Sequence, residues 1–194
     1  IFENMFSEVC EKMSDHLEPI KINPLFRYMF EDSNLIYDSN FSLIEKNVNN
    51  KNIKELDNFY DFMTKASKLY NLSENTFFKN EILSTPSPKD LITLLKSPFN
   101  LFFKKYSDLV NKTFMDDRLR KIFLRYPTYV GASPYKSQGI LSIIPFMELS
   151  FGGWYVKGGL YKIIESLEKI LKSNGVKIIL NKKVSSINLK NKKI

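Results

Sequence analysis

The stretch at residues 151–160, F-G-G-W-Y-V-K-G-G-L, holds four of the seven glycines of the chain and its only tryptophan. One glycine pair, Gly152-Gly153, opens the stretch, and a second pair, Gly158-Gly159, directly precedes a sequence with helical periodicity. Glycines at a helix start let another backbone or a ligand come close to free N–H groups. The spacing alone favours a tight turn into a helix, with a ligand site as the alternative.

An amphipathic helix is predicted after the second glycine pair. Apolar residues recur there at intervals of three and four, at Leu160, Ile163, Ile164, Leu167, Ile170 and Leu171. Asn174-Gly175 then predicts a left-handed cap at the end of this helix. The β-branched residues that follow predict strands over 176–180 and 184–189.

The first half of the chain predicts a β-hairpin followed by helices. Two extended, aromatic-rich runs between Glu18 and Asp38 flank a polar turn at 31–34. The spacing of apolar residues predicts helices over 52–70, 87–95, 105–114 and 116–124, and a further apolar helix over 137–149. Ser87 is expected to cap the helix at 87–95, with Pro88 and Asp90 in its first turn. A helical block inside a strand-containing chain predicts the α+β class.

The composition narrows the classes of site. The single cysteine, Cys10, excludes an intrachain disulfide, and with the single histidine, His16, it excludes cysteine clusters and most histidine metal sites, so no metal is expected. The formal charge of +8 comes mainly from scattered lysines, which favours a solvated surface over a nucleic-acid site. No apolar run is long enough to span a membrane. The first residue is not methionine, and the first residues lack the charged region and the apolar run of a signal peptide. We expect an interior piece of a longer protein in a reducing compartment.

Short catalytic motifs do not identify an active site. The chain has no G-x-G-x-x-G, no G-K-[ST], no H-E-x-x-H and no G-x-S-x-G. The residues taken one motif at a time therefore predict no complete active site.

The order of motifs along the chain is more specific. From Gly152 to Ile187 the sequence G-G-W-Y-V-K-G-G-L-Y-K-I-I-E-S-L-E-K-I-L-K-S-N-G-V-K-I-I-L-N-K-K-V-S-S-I closely resembles the central signature of the bacterial phytoene desaturases and their dehydrosqualene desaturase relatives. In that signature G-[VG]-W-[YF]-x-x-G-G leads into a helix and then into G-x-x-I-x-x-N-x-x-V-x-x-I. The upstream stretches L-F-R-Y-M-F-E-D, D-D-R-L-R-K-I-F and Y-V-G-A-S-P-Y resemble further family motifs in the family's order.

The resemblance implies an FAD-dependent enzyme of the amine-oxidase-like flavoprotein superfamily, built from an FAD domain and a substrate domain. Residues 1–51 would supply substrate-domain strands and the hairpin, and 52–125 a helical insertion on the substrate and membrane side. Residues 126–174 would return to the substrate domain and include the Gly-Gly helix, and 175–194 would be strands leading into an incomplete, Rossmann-like FAD domain. The glycine fingerprint that binds FAD pyrophosphate is missing from this chain, so the isolated piece is not expected to bind FAD tightly or to be active.

The resemblance also implies site residues. The backbone of Val184 would pair with the adenine of FAD, although chemistry alone makes Val184 an ordinary strand residue. Gly158 and Gly159 would lie beside the cofactor. Three aromatic residues next to them would line the flavin ring or the substrate tunnel, with core packing as the alternative for the first: Trp154, Tyr155 and Tyr161.

The catalytic residues remain unknown at this stage. Some family relatives carry a basic residue followed by an aspartate in a comparable helix, and Lys89-Asp90 matches that pattern. Helix capping already explains Asp90, which is therefore a weak candidate.

The activity implied by the resemblance is the introduction of conjugated double bonds into a thirty- or forty-carbon polyisoprenoid in carotenoid biosynthesis. The substrate dissolves in membranes, so a cytoplasmic enzyme bound peripherally to the bilayer is expected. An apolar group flanked by cations is the candidate docking segment: Leu94, Leu95, Phe99, Leu101, Phe102, Phe103, Lys104 and Lys105. Its alternative is a helix packed on its own domain. Other functions remain as alternatives: a carotenoid isomerase, a ketolase or another amine-oxidase-like flavoenzyme. A basic helical binding module without enzyme activity is a more remote alternative. Nucleic acid is not expected as a partner, and the oligomeric state is unknown.

Overall fold

The structure is a computed structural model that describes residues 2–39, 45–46, 53–74, 92 and 100–187. The chain divides into two compact units. The terminal unit comprises 1–20 and 154–194, and the central unit comprises 21–153. Each unit is described by itself below.

The described chain contains three consecutive short strands, then a run of helices, and a last strand before the final helix. The α-helices are α1 (Phe2–Ser7), α2 (Ile53–Ser73), α3 (Asn100–Phe103), α4 (Tyr106–Thr113), α5 (Asp117–Leu124), α6 (Ile143–Phe151) and α7 (Tyr161–Ser173). The strands are β1 (Pro19–Ile22), β2 (Phe26–Met29), β3 (Asn34–Tyr37) and β4 (Gly153–Val156). β1 pairs with β4 in one two-stranded sheet, and β2 pairs with β3 in another. This mixture of helix and strand agrees with the α+β class.

The hairpin of the central unit is confirmed. β2 and β3 are antiparallel, with Phe26 opposite Tyr37 and Met29 opposite Asn34. The Phe30 N–H donates to the Ser33 carbonyl at 2.8 Å and closes the turn. The turn again has four residues but lies one residue earlier than its polar sequence suggested, at 30–33, because Asn34 already belongs to β3.

The core of the central unit is aromatic. Phe59 and Phe62 of α2 are buried against Phe114 and against Phe123 of α5. The Phe123 ring lies 4.5 Å from Phe114 and 5.0 Å from Phe62 between centroids. Such ring pairs add about 0.5–1.5 kcal/mol each to the area that they bury, so this cluster holds α2 to α4 and α5.

A buried carboxylate fixes the start of α5. Glu55 Oε1 of α2 accepts hydrogen bonds from the backbone N–H groups of Met115 at 2.6 Å and Asp116 at 2.8 Å. The Asp116 side chain in turn caps α5 by accepting from the Arg118 N–H. Backbone N–H groups that have no partner inside a helix are thereby satisfied.

The core of the terminal unit lies under α7. Val156 and Ile170 pack with Phe6 and Leu17, and Ile163 and Leu167 pack against this group. Asn174 ends the helix, and Gly175 follows at a φ of 76°. The predicted helix and its left-handed cap are both confirmed.

Two predictions about secondary structure are corrected. Residues 176–187 form no strand among the described residues and are exposed, so the strand at 176–180 and the described part of the strand at 184–189 were wrong. A strand requires a neighbour for its N–H and C=O groups, and none of the described residues provides one. The helix expected over 137–149 begins instead at Ile143, after a 3-10 turn at Gly139–Ser142, because Pro145 cannot donate to the carbonyl four residues earlier.

The remaining helix predictions are confirmed where they can be compared. The helices expected over 52–70, 105–114 and 116–124 correspond to α2, α4 and α5. The helix expected over 87–95, with its cap, lies outside the described residues apart from Ile92.

Candidate functional site

The second glycine pair forms a turn between β4 and α7. Gly158 has a φ of 85° and Gly159 a φ of 101°. The Gly159 N–H donates to the Val156 carbonyl at 2.9 Å, and the Lys162 N–H donates to the Gly159 carbonyl at 3.1 Å. The Gly159 N–H is thus used within the turn. Leu160, the helix N-cap, contributes no capping side chain.

The two glycine pairs meet different physical demands. A Cβ at Gly159 would lie no closer than 3.8 Å to another atom, the Tyr155 Oη, so its backbone conformation, and not crowding, requires glycine. A Cβ at Gly153 would lie 2.7 Å from Leu25 Cδ2, so a larger residue there would push the end of the Leu25 side chain aside, and close packing favours glycine. One pair therefore permits a turn and the other permits a close approach.

The aromatic residues next to the turn are exposed. Trp154 is 56% exposed, and Tyr155 and Tyr161 are exposed as well. Plain core packing therefore does not describe Trp154. Leu160, Ile164 and Leu171 are exposed along one side of α7, so this helix carries a second apolar face besides the one in the core. Large exposed apolar patches usually bind a ligand, a membrane or another protein surface.

The cations close to the turn are paired. Lys157 Nζ lies 2.9 Å from Glu18 Oε2, and Lys162 Nζ lies 2.6 Å from Glu165 Oε2. All four side chains are about half exposed or more, so solvent screens these pairs strongly. These ion pairs lie at the surface beside the turn, and the exposed apolar side chains around the turn remain.

Val184 lies in the exposed segment after α7. Its side chain is 73% exposed, and its backbone belongs to no strand. The structure places Trp154, Tyr155, Gly158, Gly159 and Tyr161 together around one turn. It does not bring Val184 into an element with them.

The other predicted positions are only partly described. Lys89, Asp90, Leu94, Leu95 and Phe99 lie outside the described residues, as does the side chain of Phe102. Leu101 is buried, whereas Phe103, Lys104 and Lys105 are exposed. The described end of the candidate docking segment thus has one apolar side chain in the core and one at the surface.

A polar cluster in the central unit was missed by the sequence analysis. The Arg125 guanidinium lies 4.5 Å from the Phe26 ring centroid and 4.7 Å from that of Tyr126. Its Nη2 donates to the Tyr28 hydroxyl at 3.0 Å and to Glu148 Oε1 at 3.4 Å. The cluster therefore joins β2, the turn after α5 and helix α6.

Tyr129 completes this cluster at the surface. Its hydroxyl donates to Glu148 Oε2, and its ring centroid lies 5.3 Å from the guanidinium carbon of Arg125. The Tyr129 side chain is more than half exposed. Stacking of a guanidinium on aromatic faces is favourable and is stronger where water is displaced.

The electrostatics of the cluster keep Arg125 charged. Burial acts to lower the pKa of the guanidinium, but hydrogen bonds with Tyr129 and Tyr28 outweigh it, and the pKa is raised. Burial raises the pKa of Tyr28, against the lowering effect of Arg125. Burial also raises the pKa of Tyr129, supported by its hydrogen bond to Glu148. The phenols therefore stay protonated at neutral pH.

One sequence signal pointed to this cluster. Glu148 is the only charged residue between Gly139 and Val156, a stretch that is otherwise mostly apolar. A lone carboxylate in an apolar helix needs a partner when it is half-buried. The partner, Arg125, could not be read from spacing because it comes from a different element.

The described residues hold no group of three or more potential metal ligands. None of the described helices is long and apolar enough to cross a membrane.

Comparisons with known proteins find carotenoid-converting enzymes. No family model matches the chain. A 1-hydroxycarotenoid 3,4-desaturase of Flavobacterium sp. is 33% identical over 82% of this chain and 30% of its own length. A 4,4'-diapophytoene desaturase of Methylomonas sp, which forms 4,4'-diapolycopene, is 25% identical over 98% of this chain and 37% of its own length. A 4,4'-diapolycopene oxygenase of Methylomonas sp is 29% identical over 96% of this chain and 38% of its own length. The chain therefore spans about a third of the length of these relatives.

Proposed function

We propose, from the similarity of this chain to carotenoid desaturases over most of its length, that the protein is an FAD-dependent oxidoreductase that introduces conjugated double bonds into a polyisoprenoid. The observation that carries the proposal is the similarity to desaturases over most of this chain. The substrate would be a thirty- or forty-carbon hydrocarbon of the phytoene or dehydrosqualene type, or an oxygen-bearing derivative of one.

The terminal unit contains backbone groups suited to a dinucleotide. The glycine turn brings no bulky side chain to the start of α7, and the N-cap Leu160 contributes no capping side chain. The Lys162 and Ile163 N–H groups already donate to the Gly159 and Leu160 carbonyls, so the N–H groups before Lys162 are the ones proposed to face the ligand. Such groups bind anions and polar ligand edges. The main chain of Val184, which joins no strand, can pair with an adenine edge. When bound, FAD would act as the electron sink that accepts a hydride.

In this proposal 175–194 leads into an FAD domain, which the rest of the full-length protein would complete. Residues 1–51 and 126–174 would belong to a substrate domain, with 52–125 as its helical insertion. The pyrophosphate fingerprint absent from this sequence would lie in the remaining polypeptide. Tight cofactor binding is therefore expected of the full-length protein only.

Aromatic walls suit the hydrocarbon substrate. Trp154, Tyr155 and Tyr161 present exposed rings next to the glycine turn. Rings give a polyene a large apolar contact area, and the polar tips of tyrosine and tryptophan can find partners at the edge of the site. We assign these three side chains to the substrate or to the flavin ring.

Access to such a substrate would occur at a membrane surface. Phe103 is 76% exposed and precedes the exposed Lys104 and Lys105. An apolar side chain beside two cations suits the boundary between acyl chains and anionic headgroups. We propose a cytoplasmic protein that binds the bilayer peripherally through this segment.

A carotenoid oxygenase is the second candidate, because one relative with 29% identity is a 4,4'-diapolycopene oxygenase. Desaturation and oxygenation share a polyisoprenoid substrate and differ in what the product gains. Desaturation lengthens the conjugated chromophore with loss of hydrogen, whereas oxygenation adds an oxygen atom. A carotenoid isomerase would change neither the number of hydrogen atoms nor the number of oxygen atoms in the product.

The test is product analysis in cells. The full-length protein is expressed in bacteria that make phytoene or dehydrosqualene, and the carotenoids are separated and identified by absorption and mass. New polyenes with less hydrogen and longer conjugation support a desaturase. Products with added oxygen and no new double bond, or an isomer of unchanged mass, overturn the desaturase and support the corresponding alternative.

A further inference from the structure

The cluster around Arg125 lies in a protein whose proposed substrate is largely hydrocarbon. We propose that Arg125 and Tyr129 form a recognition site for an oxygen atom, of a hydroxyl or a carbonyl group, at one end of the polyisoprenoid substrate. This inference rests on the proposed function and names the substrate class: an oxygen-bearing polyisoprenoid.

Arg125 has donors to spare for such an oxygen. A guanidinium carries five N–H donors. The bonds to Tyr28 and Glu148 both come from Nη2, one more bond goes to Tyr129, and Nε is buried with no partner among the described residues, so a donor on the Nη atoms remains for a ligand. The Arg125 side chain is 31% exposed, so part of the guanidinium can be reached from outside. A hydroxyl or carbonyl oxygen of a ligand can accept from these donors.

Tyr129 supplies the second polar group. Its hydroxyl proton is donated to Glu148 Oε2, and its oxygen accepts the hydrogen bond from Arg125, so one further lone pair of the phenolic oxygen remains as an acceptor. A ligand hydroxyl can therefore accept from Arg125 and donate to Tyr129, whereas a ligand carbonyl can use only the first of these bonds. Arg125 and Tyr129 together can therefore bind a neutral oxygen atom.

The charge balance of the cluster favours a neutral ligand over an anion. Glu148 lies 3.4 Å from the Arg125 guanidinium and is held by Tyr129 on its other oxygen. Its negative charge offsets that of Arg125, so a carboxylate or phosphate would gain little net attraction. A hydroxyl or carbonyl oxygen gains a hydrogen bond to a charged donor without this repulsion.

The surroundings suit the hydrocarbon body of the same ligand. Helix α6, which carries Glu148, exposes Met147 and Phe151. Phe151 belongs to an aromatic group with Tyr70 and Phe146, whose ring centroids lie 5.4 Å and 6.0 Å away. A single oxygen could thus bind at Arg125 while the attached apolar chain lies on this helix.

The experiment compares two substrates in the full-length protein. Initial rates are measured in liposomes with a hydrocarbon carotenoid and with the same carotenoid carrying one terminal hydroxyl. The variants are Arg125→Lys, which keeps the charge and removes the planar fork of donors, and Tyr129→Phe, which keeps the ring and removes the hydroxyl. Tyr135→Phe, at another exposed tyrosine outside the cluster, is the matched control.

The wild type is expected to prefer the hydroxylated substrate in kcat/KM. Each cluster variant should lower the ratio of kcat/KM for the hydroxylated to the hydrocarbon substrate by about ten- to a hundredfold, as expected for loss of a hydrogen bond in a charged network. Tyr135→Phe should leave this ratio unchanged.

Circular dichroism would show whether Arg125→Lys is unfolded. In that case the substrate ratio of Tyr129→Phe alone tests the recognition site. A wild type that converts the hydrocarbon with no preference for the hydroxyl, or variants that keep the wild-type ratio, overturn the recognition site and leave the proposed desaturase standing. Conversion of neither substrate by the wild type overturns both.

Discussion

The glycine stretch allows a prediction in which two similar substitutions act by different mechanisms. Gly159→Ala places a side chain at a φ of 101° with no atom closer than 3.8 Å to the new Cβ. The cost is therefore purely that of the backbone conformation, about 1–3 kcal/mol of the free energy of unfolding. Gly153→Ala leaves the backbone in a conformation open to alanine but brings Cβ to 2.7 Å from Leu25 Cδ2. Because Cδ2 is the end of a flexible side chain that can shift, the cost is at the low end of that for overpacking, about 1 kcal/mol.

A double-mutant cycle with Leu25→Ala separates the two mechanisms. Leu25→Ala removes the Cδ2 atom that the new methyl group at position 153 would meet, so Leu25→Ala should recover much of the loss caused by Gly153→Ala. Leu25 is not among the atoms within 4 Å of a Cβ at Gly159. The effects of Gly159→Ala and Leu25→Ala should therefore add.

Urea unfolding followed by circular dichroism supplies the free energies, with the slope against urea checked for each variant. The mechanism assigned to Gly159 is refuted if Gly159→Ala is as stable as the wild type. The mechanism assigned to Gly153 is refuted if the losses from Gly153→Ala and Leu25→Ala simply add.

Three further predictions concern buried and exposed side chains. Glu55→Ala should lower the free energy of unfolding by about 2–4 kcal/mol, because two backbone N–H groups lose their acceptor; Glu55→Gln, which keeps one acceptor oxygen, should lose less, and equal losses would contradict this. The hydrogen bond from Arg118 lowers the pKa of Asp116, so this carboxylate stabilises the fold above its unfolded pKa of about 4, and the stabilisation is lost as the pH falls through the folded pKa. Urea unfolding at several pH values should show that Asp116→Asn destabilises at neutral pH and less at acid pH; a difference independent of pH would contradict the assignment. Trp154 fluorescence should be quenched readily by acrylamide, because the side chain is 56% exposed, and strong protection would contradict its exposure.

Local patterns in the sequence predicted the elements that depend on neighbours close in the chain. The hairpin at β2 and β3, the helix α2 and the Gly175 cap all follow from periodicity or turn chemistry within a few residues. These features need no distant partner, which explains why their positions agree with the structure.

Features that depend on distant residues were either predicted wrongly or missed. The strands expected after Gly175 lack a neighbour among the described residues, and β-branched composition alone does not provide one. Arg125 and Glu148 are brought together by the packing of the turn after α5 against α6. Spacing also could not show that Gly159 serves a backbone conformation whereas Gly153 serves a close approach.

The proposed reaction transfers hydride from a polyisoprenoid to a flavin bound by the full-length protein. The most direct measurement is an anaerobic single turnover of the full-length protein, reconstituted with FAD and mixed with substrate in liposomes. If this reaction occurs, the absorbance of the oxidised flavin falls in proportion to the new double bonds found in the product. A protein that binds FAD and converts the substrate while the flavin stays oxidised, or whose flavin is never reduced by any polyisoprenoid, would contradict it.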